Sequence, residues 1–288
     1  MVTLNNLRGV RDFEESPVFI VANVRSGTTA LLNALKRHPA LVMADRDAPS
    51  IHLLGRVAFE YTATAPRQHY FVSSNALSPK SFRSQLAAFA FKTVWGNRCR
   101  YSFNILRRYA KKNIRRLGWK VTRWGVKAFP EKNDAEGLLW LMPQTVFVYL
   151  IRNGIDVVHS MGKFPTFREM NFEQRCHLWA DRVYAYHYLI GHPNAIVIRH
   201  ESFLSKPETT LIPLWSKLRL QAHPAPAAYA SSHIVHPLED ENTTIGSAKE
   251  MISTRPSSWE LWSGVQQRKF RDICGEAMGM LDYSIPDR

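Results

Sequence analysis

Cysteine is scarce in this chain, with only Cys99, Cys176 and Cys274 among 288 residues. So small and scattered a set excludes a disulfide framework and a closed zinc site, and a reducing, cytoplasmic setting is expected. Long apolar runs are missing too. No stretch reaches about 18 apolar residues, so no membrane-spanning helix is expected. The opening residues, MVTLNNLRGVRDFEESP, lack the basic start and apolar stretch of a secretory signal. Internal repeats and low-complexity tracts are absent as well. Acid is in the minority, with 24 Asp and Glu against 38 Lys and Arg, for a formal charge of +14. The rest is ordinary: 45% of residues are apolar and 22% charged, which excludes a wholly disordered chain.

The excess positive charge is local. Between Arg98 and Arg123 lie ten Lys or Arg and no acid, leaving +4 for the remainder of the chain. Three readings of this segment stand side by side. It is a solvated helical face, or it attracts an acidic acceptor such as a glycan or sulfated polymer. In the third it makes peripheral contact with anionic lipid, because Tyr101, Phe103, Ile105, Leu106 and Tyr109 interleave with the charges. No helix-turn-helix, zinc-finger or RNA-recognition signature accompanies it, so no specific nucleic-acid partner is expected.

Strand and helix signals alternate. Val18–Ala22 is an unbroken apolar run, which predicts a strand buried on both faces. A short polar turn follows, and leucines at 31, 32 and 35 predict a helix over 28–37, stopped by His38-Pro39. Thr145–Ile151, continuous and apolar, and Ala195–Ile198 read as further strands, each followed by a helix. A long helix is expected over Phe167–Ile190, with Phe172, Cys176, Trp179, Val183 and Ile190 on one side, and a last one over about Ser258–Leu281. Residues 221–256, rich in Pro, His, Ser and Thr, read as a long loop. The alternation predicts an α/β fold with a central parallel sheet flanked by helices in three layers.

Two motifs carry chemistry. The first, Ala22-Asn-Val-Arg-Ser-Gly-Thr-Thr29, joins the first strand to its helix. Amides at a helix N-terminus favour an anion there. Against the nucleotide-binding pattern GxxxxGK followed by Ser or Thr, Gly27 and Thr29 fall in register. Thr28 stands where the lysine belongs and Ala22 where the first glycine belongs, so Arg25 supplies the cation. The missing lysine argues against ordinary ATP or GTP hydrolysis. The second motif begins at Arg152, at the tip of a later strand, where ligands bind in open α/β sheets. Ser160 lies eight residues on, about two helical turns, so both can face one phosphate. Asp156 suits a capping or dipole role. Taken alone, the first motif also reads as a plain strand–turn–helix connection, and the second as a surface arginine and a helix serine with no ligand.

Together, RSGTT after the first strand and RNxxDxxxS after a later one resemble the two cofactor signatures of the sulfotransferase family, whose members use 3′-phosphoadenosine 5′-phosphosulfate (PAPS). Trp124-Gly-Val-Lys-Ala-Phe-Pro130 is similar to the family's W-G-x-K-x-x-P segment. Val197–Leu204 is similar to its Y-E-D-L strand, and Trp259–Tyr283 to a final helix that often ends Leu-Gly-Tyr, here Leu281-Asp-Tyr283. The likeness spans about 17–284, hardly covers 48–120, and lies nearer the carbohydrate and bacterial branches than the cytosolic small-molecule branch. It implies one P-loop NTPase-like domain over 1–288 and transfer of a sulfuryl group to a hydroxyl or amine of a carbohydrate or other small-molecule acceptor.

Site roles follow from the same resemblance. Arg25 is expected at the transferring sulfuryl group, and Ser26, Gly27, Thr28 and Thr29 at the 5′-phosphate. Arg152 and Ser160 are expected at the 3′-phosphate, with Arg255 as a late contact, and His200 stands where a family tyrosine can touch the adenine. Lys127 is a second candidate cation. The general base is expected at Asp47, which follows Arg46, with His52 as second choice; Asp45 reads equally as a turn residue. Trp124 and Trp259 read as core or as adenine-stacking residues. Gly154 replaces a common proline, and His200 and Ser202 replace a Tyr and an Asp. No metal is required, and the product is 3′-phosphoadenosine 5′-phosphate (PAP). Two alternatives stay open: a polyanion- or nucleic-acid-binding protein on a degenerate scaffold, and a nucleotide phosphotransferase, which needs the absent lysine and Mg²⁺ ligands.

Overall fold

The computed structural model describes residues 16–47, 49–64, 123–233 and 258–287, with a few positions between 83 and 90. The basic stretch 98–122 and Arg255 lie outside the described residues. The strands are β1 (Pro17–Ala22), β2 (Leu41–Asp47), β3 (Arg123–Lys127), β4 (Val146–Ile151) and β5 (Ala195–Arg199). They form one parallel sheet in the order β2-β3-β1-β4-β5, with Val18 opposite Gly125 and Leu41 opposite Arg123. Every residue of β1 and β4 is buried, as their unbroken apolar runs require. The expected α/β fold with a central parallel sheet and flanking helices is present.

The helices among the described residues are α1 (Thr28–Leu35), α2 (Pro49–Thr64), α3 (Lys132–Leu141), α4 (Gly154–Lys163) and α5 (Phe172–Tyr186). They continue as α6 (His200–Ser205), α7 (Pro207–Leu218), α8 (Pro224–His233) and α9 (Gly264–Met280). None is long and apolar enough to cross a membrane. Their starts follow capping chemistry. Asn153 caps α4 by accepting the Ile155 N–H, and Asn171 with Gln174 and Ser263 with Gln266 form capping boxes for α5 and α9.

Several expected boundaries shift. The helix expected over Phe167–Ile190 breaks into a 3-10 turn at Pro165–Phe167, α5, and a second 3-10 turn at His187–Leu189, because Asn171 places a cap inside it. Ile190 is 39% exposed and leaves the apolar face. The helix expected over 28–37 stops at Leu35, and the last helix starts at Gly264. The segment read as one long loop opens with helix α8, whose Pro224 sits at the first position, where a missing N–H costs nothing. Residues 234–257 lie outside the described residues. Asp45, read equally as a turn residue, and Asp47, the expected base, both belong to β2.

The chain divides into two compact units, Met1–Val21 with Leu35–Val148, and Ala22–Ala34 with Tyr149–Arg288. In the first, Phe19 meets Trp124 edge-on at 5.9 Å between ring centroids and packs against Phe147 at 6.0 Å. Trp124 is thus a core residue. Arg56 on α2 donates to Asp134 on α3 at 2.7 Å. In the second, Trp179 of α5 packs on Phe270 of α9, and Trp259 and Trp262, just before α9, pack on the same ring. Cys176 and Cys274 are buried free thiols between these helices, and the Cys274 thiol donates to the Cys176 carbonyl at 3.5 Å. After α9, Asp282 adopts φ +54°, a left-handed conformation that costs a non-glycine residue roughly 1–2 kcal/mol. That turn sends the Tyr283 N–H back to the Met278 carbonyl at 3.0 Å.

Candidate active site

The second unit contains both cofactor-like motifs. Between β1 and α1 the chain turns through Asn23–Gly27. The Ser26 N–H reaches the Asn23 carbonyl at 3.4 Å, and α1 begins with the Leu31 N–H on the Gly27 carbonyl at 3.1 Å. Two loop residues are left-handed, Arg25 at φ +62° and Gly27 at φ +87°. Gly27 is required twice over. It adopts that φ without strain, and a Cβ there would lie 2.4 Å from the imidazole of buried His200. The first amides of α1 have no acceptor within their helix, which leaves donors aimed at the loop.

The loop is pinned from below. Asn23 donates its side-chain amide to the Trp179 carbonyl at 3.2 Å. The Ser26 hydroxyl and the Asn23 side-chain oxygen are buried with no hydrogen-bond partner. Unmatched buried polar groups are rare and call for a reason.

Arg25 is the centre of the arrangement. Its Nε donates to Ser160 Oγ on α4 at 3.2 Å, and its guanidinium lies 4.2 Å from the centroid of the Phe164 ring. Its carbonyl accepts from the Arg152 guanidinium at 3.0 Å. Burial, and then the neighbouring Arg152, lower the Arg25 pKa. The structure thus brings Arg25, Arg152 and Ser160 into one cluster. The sequence reading placed Arg25 apart from the other two, at a different group of the ligand. Two guanidinium groups and a hydroxyl beside helix amides are matched to a tetrahedral oxyanion.

The turn before α4 is equally constrained. A Cβ on Gly154 would sit 2.7 Å from the Trp179 ring, so glycine lets that ring close onto the turn. Asp156, in the first turn of α4, accepts from Ser258 Oγ at 2.9 Å. His200 starts α6, 6% exposed and packed against Gly27.

The remaining candidates are in the first unit. Lys127 ends β3, paired in register with Ile20 of β1 and with Asp47, the last residue of β2. The charges of Lys127 and Arg37, after burial, lower the pKa of Lys36. His52 lies in α2, half-buried, with its Nδ1 buried and without a hydrogen-bond partner. Among the described residues, no group of three or more His, Cys, Asp or Glu is placed to hold a metal ion. Sequence reasoning missed Phe164, whose only signal is its position one helical turn after Ser160, and Glu201, which lies inside the Y-E-D-L-like segment.

The sequence profile of the sulfotransferase family matches residues 17–224. The chain belongs to the sulfotransferase family. No curated protein matches this sulfotransferase by sequence. Among solved structures, mouse sulfotransferase SULT7A1 complexed with PAP is similar at 13% identity and a TM-score of 0.51, covering 96% of this chain and 93% of the mouse one. That likeness shows the fold. A sulfotransferase domain from the curacin biosynthetic pathway is similar at 18% identity, with a TM-score of 0.46 and coverage of 94% and 99%. The sulfotransferase of Alicyclobacillus acidocaldarius gives 15%, 0.45, and coverage of 94% and 97%.

Proposed function

We propose that this sulfotransferase uses PAPS and moves its sulfuryl group to a hydroxyl or amine of a carbohydrate or other small-molecule acceptor. One observation carries the reading: Arg25, Arg152 and Ser160 converge beside a loop that buries an unpartnered serine hydroxyl at a helix N-terminus. This donor set fits a nucleotide bearing several phosphate-type groups. The solved mouse relative carries PAP, which supports the same choice of nucleotide.

When bound, PAPS supplies an activated sulfuryl group and a phosphate leaving group. The protein contributes position and charge. Arg152 and Ser160 would hold the 3′-phosphate. Ser26, Gly27, Thr28 and Thr29 would hold the 5′-phosphate through amides and hydroxyls, and a nucleotide oxygen would satisfy the Ser26 hydroxyl. Arg25 would stabilise charge on the phosphate that departs, with Lys127 as a second cation. His200 would support the loop from behind, and Arg255 would add a contact from the adjoining segment. Asp47 is proposed as the base that takes the acceptor's proton, with His52 the second choice.

Calorimetric titration with PAP, with ATP as control, tests the reading. Micromolar binding without magnesium is expected, weakened about 10- to 100-fold in Arg152→Ala, the range for losing a charged hydrogen-bonding partner. Well-folded protein that ignores PAP would overturn it.

A further inference from the structure

A chain of hydrogen bonds runs behind Arg152. The next residue, Asn153, donates its backbone N–H to Glu201 Oε1 at 2.9 Å. Glu201 stands in the first turn of α6. Its other oxygen, Oε2, accepts from the Tyr283 hydroxyl at 2.8 Å. Tyr283 belongs to the tail after α9, and the Arg199 guanidinium lies 4.7 Å from its ring centroid. Arg199 in turn donates to the Leu281 carbonyl at 2.7 Å and pairs with Asp282 at 3.4 Å. Burial, and then Glu201, raise the Tyr283 pKa, so the phenol stays protonated and remains a donor.

Each oxygen of Glu201 therefore has a defined partner. One is the peptide N–H immediately after Arg152, and a carboxylate on a backbone amide is among the stronger hydrogen bonds. Asn153 is also the cap of α4, the helix that carries Ser160. Fixing this one peptide orients Arg152 on one side and the start of α4 on the other. The left-handed Asp282 and the Arg199 contacts hold Tyr283 where its hydroxyl meets Glu201.

We infer that Glu201 and Tyr283 are positioning residues that set the pose of Arg152, and that the C-terminal tail thereby helps select a nucleotide carrying a 3′-phosphate. The inference rests on the PAPS reading given above. Both residues act through Arg152.

The test uses the full chain as wild type, Tyr283→Phe, Glu201→Ala and Glu201→Gln. Two quantities are measured: the affinities for PAP and for AMP, which lacks the 3′-phosphate, and the hydrogen-exchange rate of the Asn153 amide. The wild type should prefer PAP. Tyr283→Phe should cut that preference about 3- to 10-fold and Glu201→Ala about 10-fold or more, with AMP affinity unchanged. Glu201→Gln keeps an acceptor for the Asn153 N–H and should restore most of the preference. Asn153 exchange should quicken in Tyr283→Phe and in Glu201→Ala. A merely structural role lowers both nucleotides together, so equal losses overturn the inference. So does an unchanged PAP-to-AMP ratio, or unchanged Asn153 exchange, in Tyr283→Phe. A wild type that binds PAP and AMP alike removes the PAPS reading and, with it, the selection claim. The exchange rates still decide whether Glu201 and Tyr283 brace the Asn153 peptide.

Discussion

Replacing Gly27 with alanine should be one of the most costly single-methyl additions in the molecule. Two independent terms add. At φ +87° an L-residue is strained by roughly 1–2 kcal/mol. The new Cβ would also lie 2.4 Å from Cε1 and Nδ1 of His200, where ordinary contact starts at 3.4 Å. His200 is 6% exposed, so the ring is confined and either it or the loop must shift. Overpacking of this kind costs about 1–3 kcal/mol. The sum is about 2–5 kcal/mol, or roughly 5–15 °C in Tm for a chain of this size. Urea and thermal unfolding of Gly27→Ala, His200→Ala and the double mutant would separate the terms. His200→Ala removes the overlap and leaves the backbone strain. The double mutant should therefore be about 1–3 kcal/mol more stable than the two single losses predict. Single effects that simply add, or a Gly27→Ala protein within about 0.5 kcal/mol of wild type, would refute the reasoning.

Three further outcomes are expected. Burial, with Lys163 and Arg175 outweighing Asp156, holds the His159 pKa below 6.5 in the folded protein, so the unfolded chain binds the proton more readily. Stability should be fully present above pH 6.5 and decline as pH falls from 6.5 toward the lower folded value; a pH series of urea melts on wild type and His159→Gln checks this, the variant showing a shallower decline. Asp282→Gly relieves left-handed strain worth about 1 kcal/mol and gives up one exposed ion pair worth a few tenths, so thermal melts should show an unchanged or slightly raised Tm. In a double-mutant cycle read by urea unfolding without ligand, Arg25→Ala and Ser160→Ala should couple by about 0.5–1.5 kcal/mol, and strict additivity would deny the contact between them.

The loop, its helix and the Arg152–Ser160 pair were legible because each depends on neighbours in sequence. An unbroken apolar run makes a buried strand, small residues make the turn, and the short step from Arg152 at the strand tip to Ser160 on the following helix puts both beside Arg25, which contacts each. The direction of the Arg25 side chain was not legible. Its partner Ser160 is 135 positions away, and only tertiary packing brings the two together. The Glu201–Tyr283 bond, spanning 82 positions, was hidden for the same reason. β2 escaped notice because Ala-Asp-Arg-Asp at its end offers no apolar alternation, and its pairing with β3 supplies the order that local propensity does not. The departure Gly154 reads differently once Trp179 is seen against it. The residue stands where the family commonly has proline, and it is the space an indole ring needs.

Arg25 shows why a strained residue persists at such a place. At φ +62° glycine would be the cheaper choice, by roughly 1–2 kcal/mol. Glycine could still offer the carbonyl that accepts from Arg152, so the backbone contact alone does not explain an arginine here. What glycine lacks is the guanidinium that reaches Ser160 and stacks on Phe164. The left-handed turn therefore serves two atoms at once, presenting the carbonyl to one cation and the side chain to the hydroxyl of α4. Burial lowers the Arg25 pKa first and the neighbouring Arg152 charge lowers it further, so the two cations disfavour one another. Backbone strain and like-charge crowding fall together on this one residue, and the phosphate-binding role proposed above for both guanidinium groups would account for them.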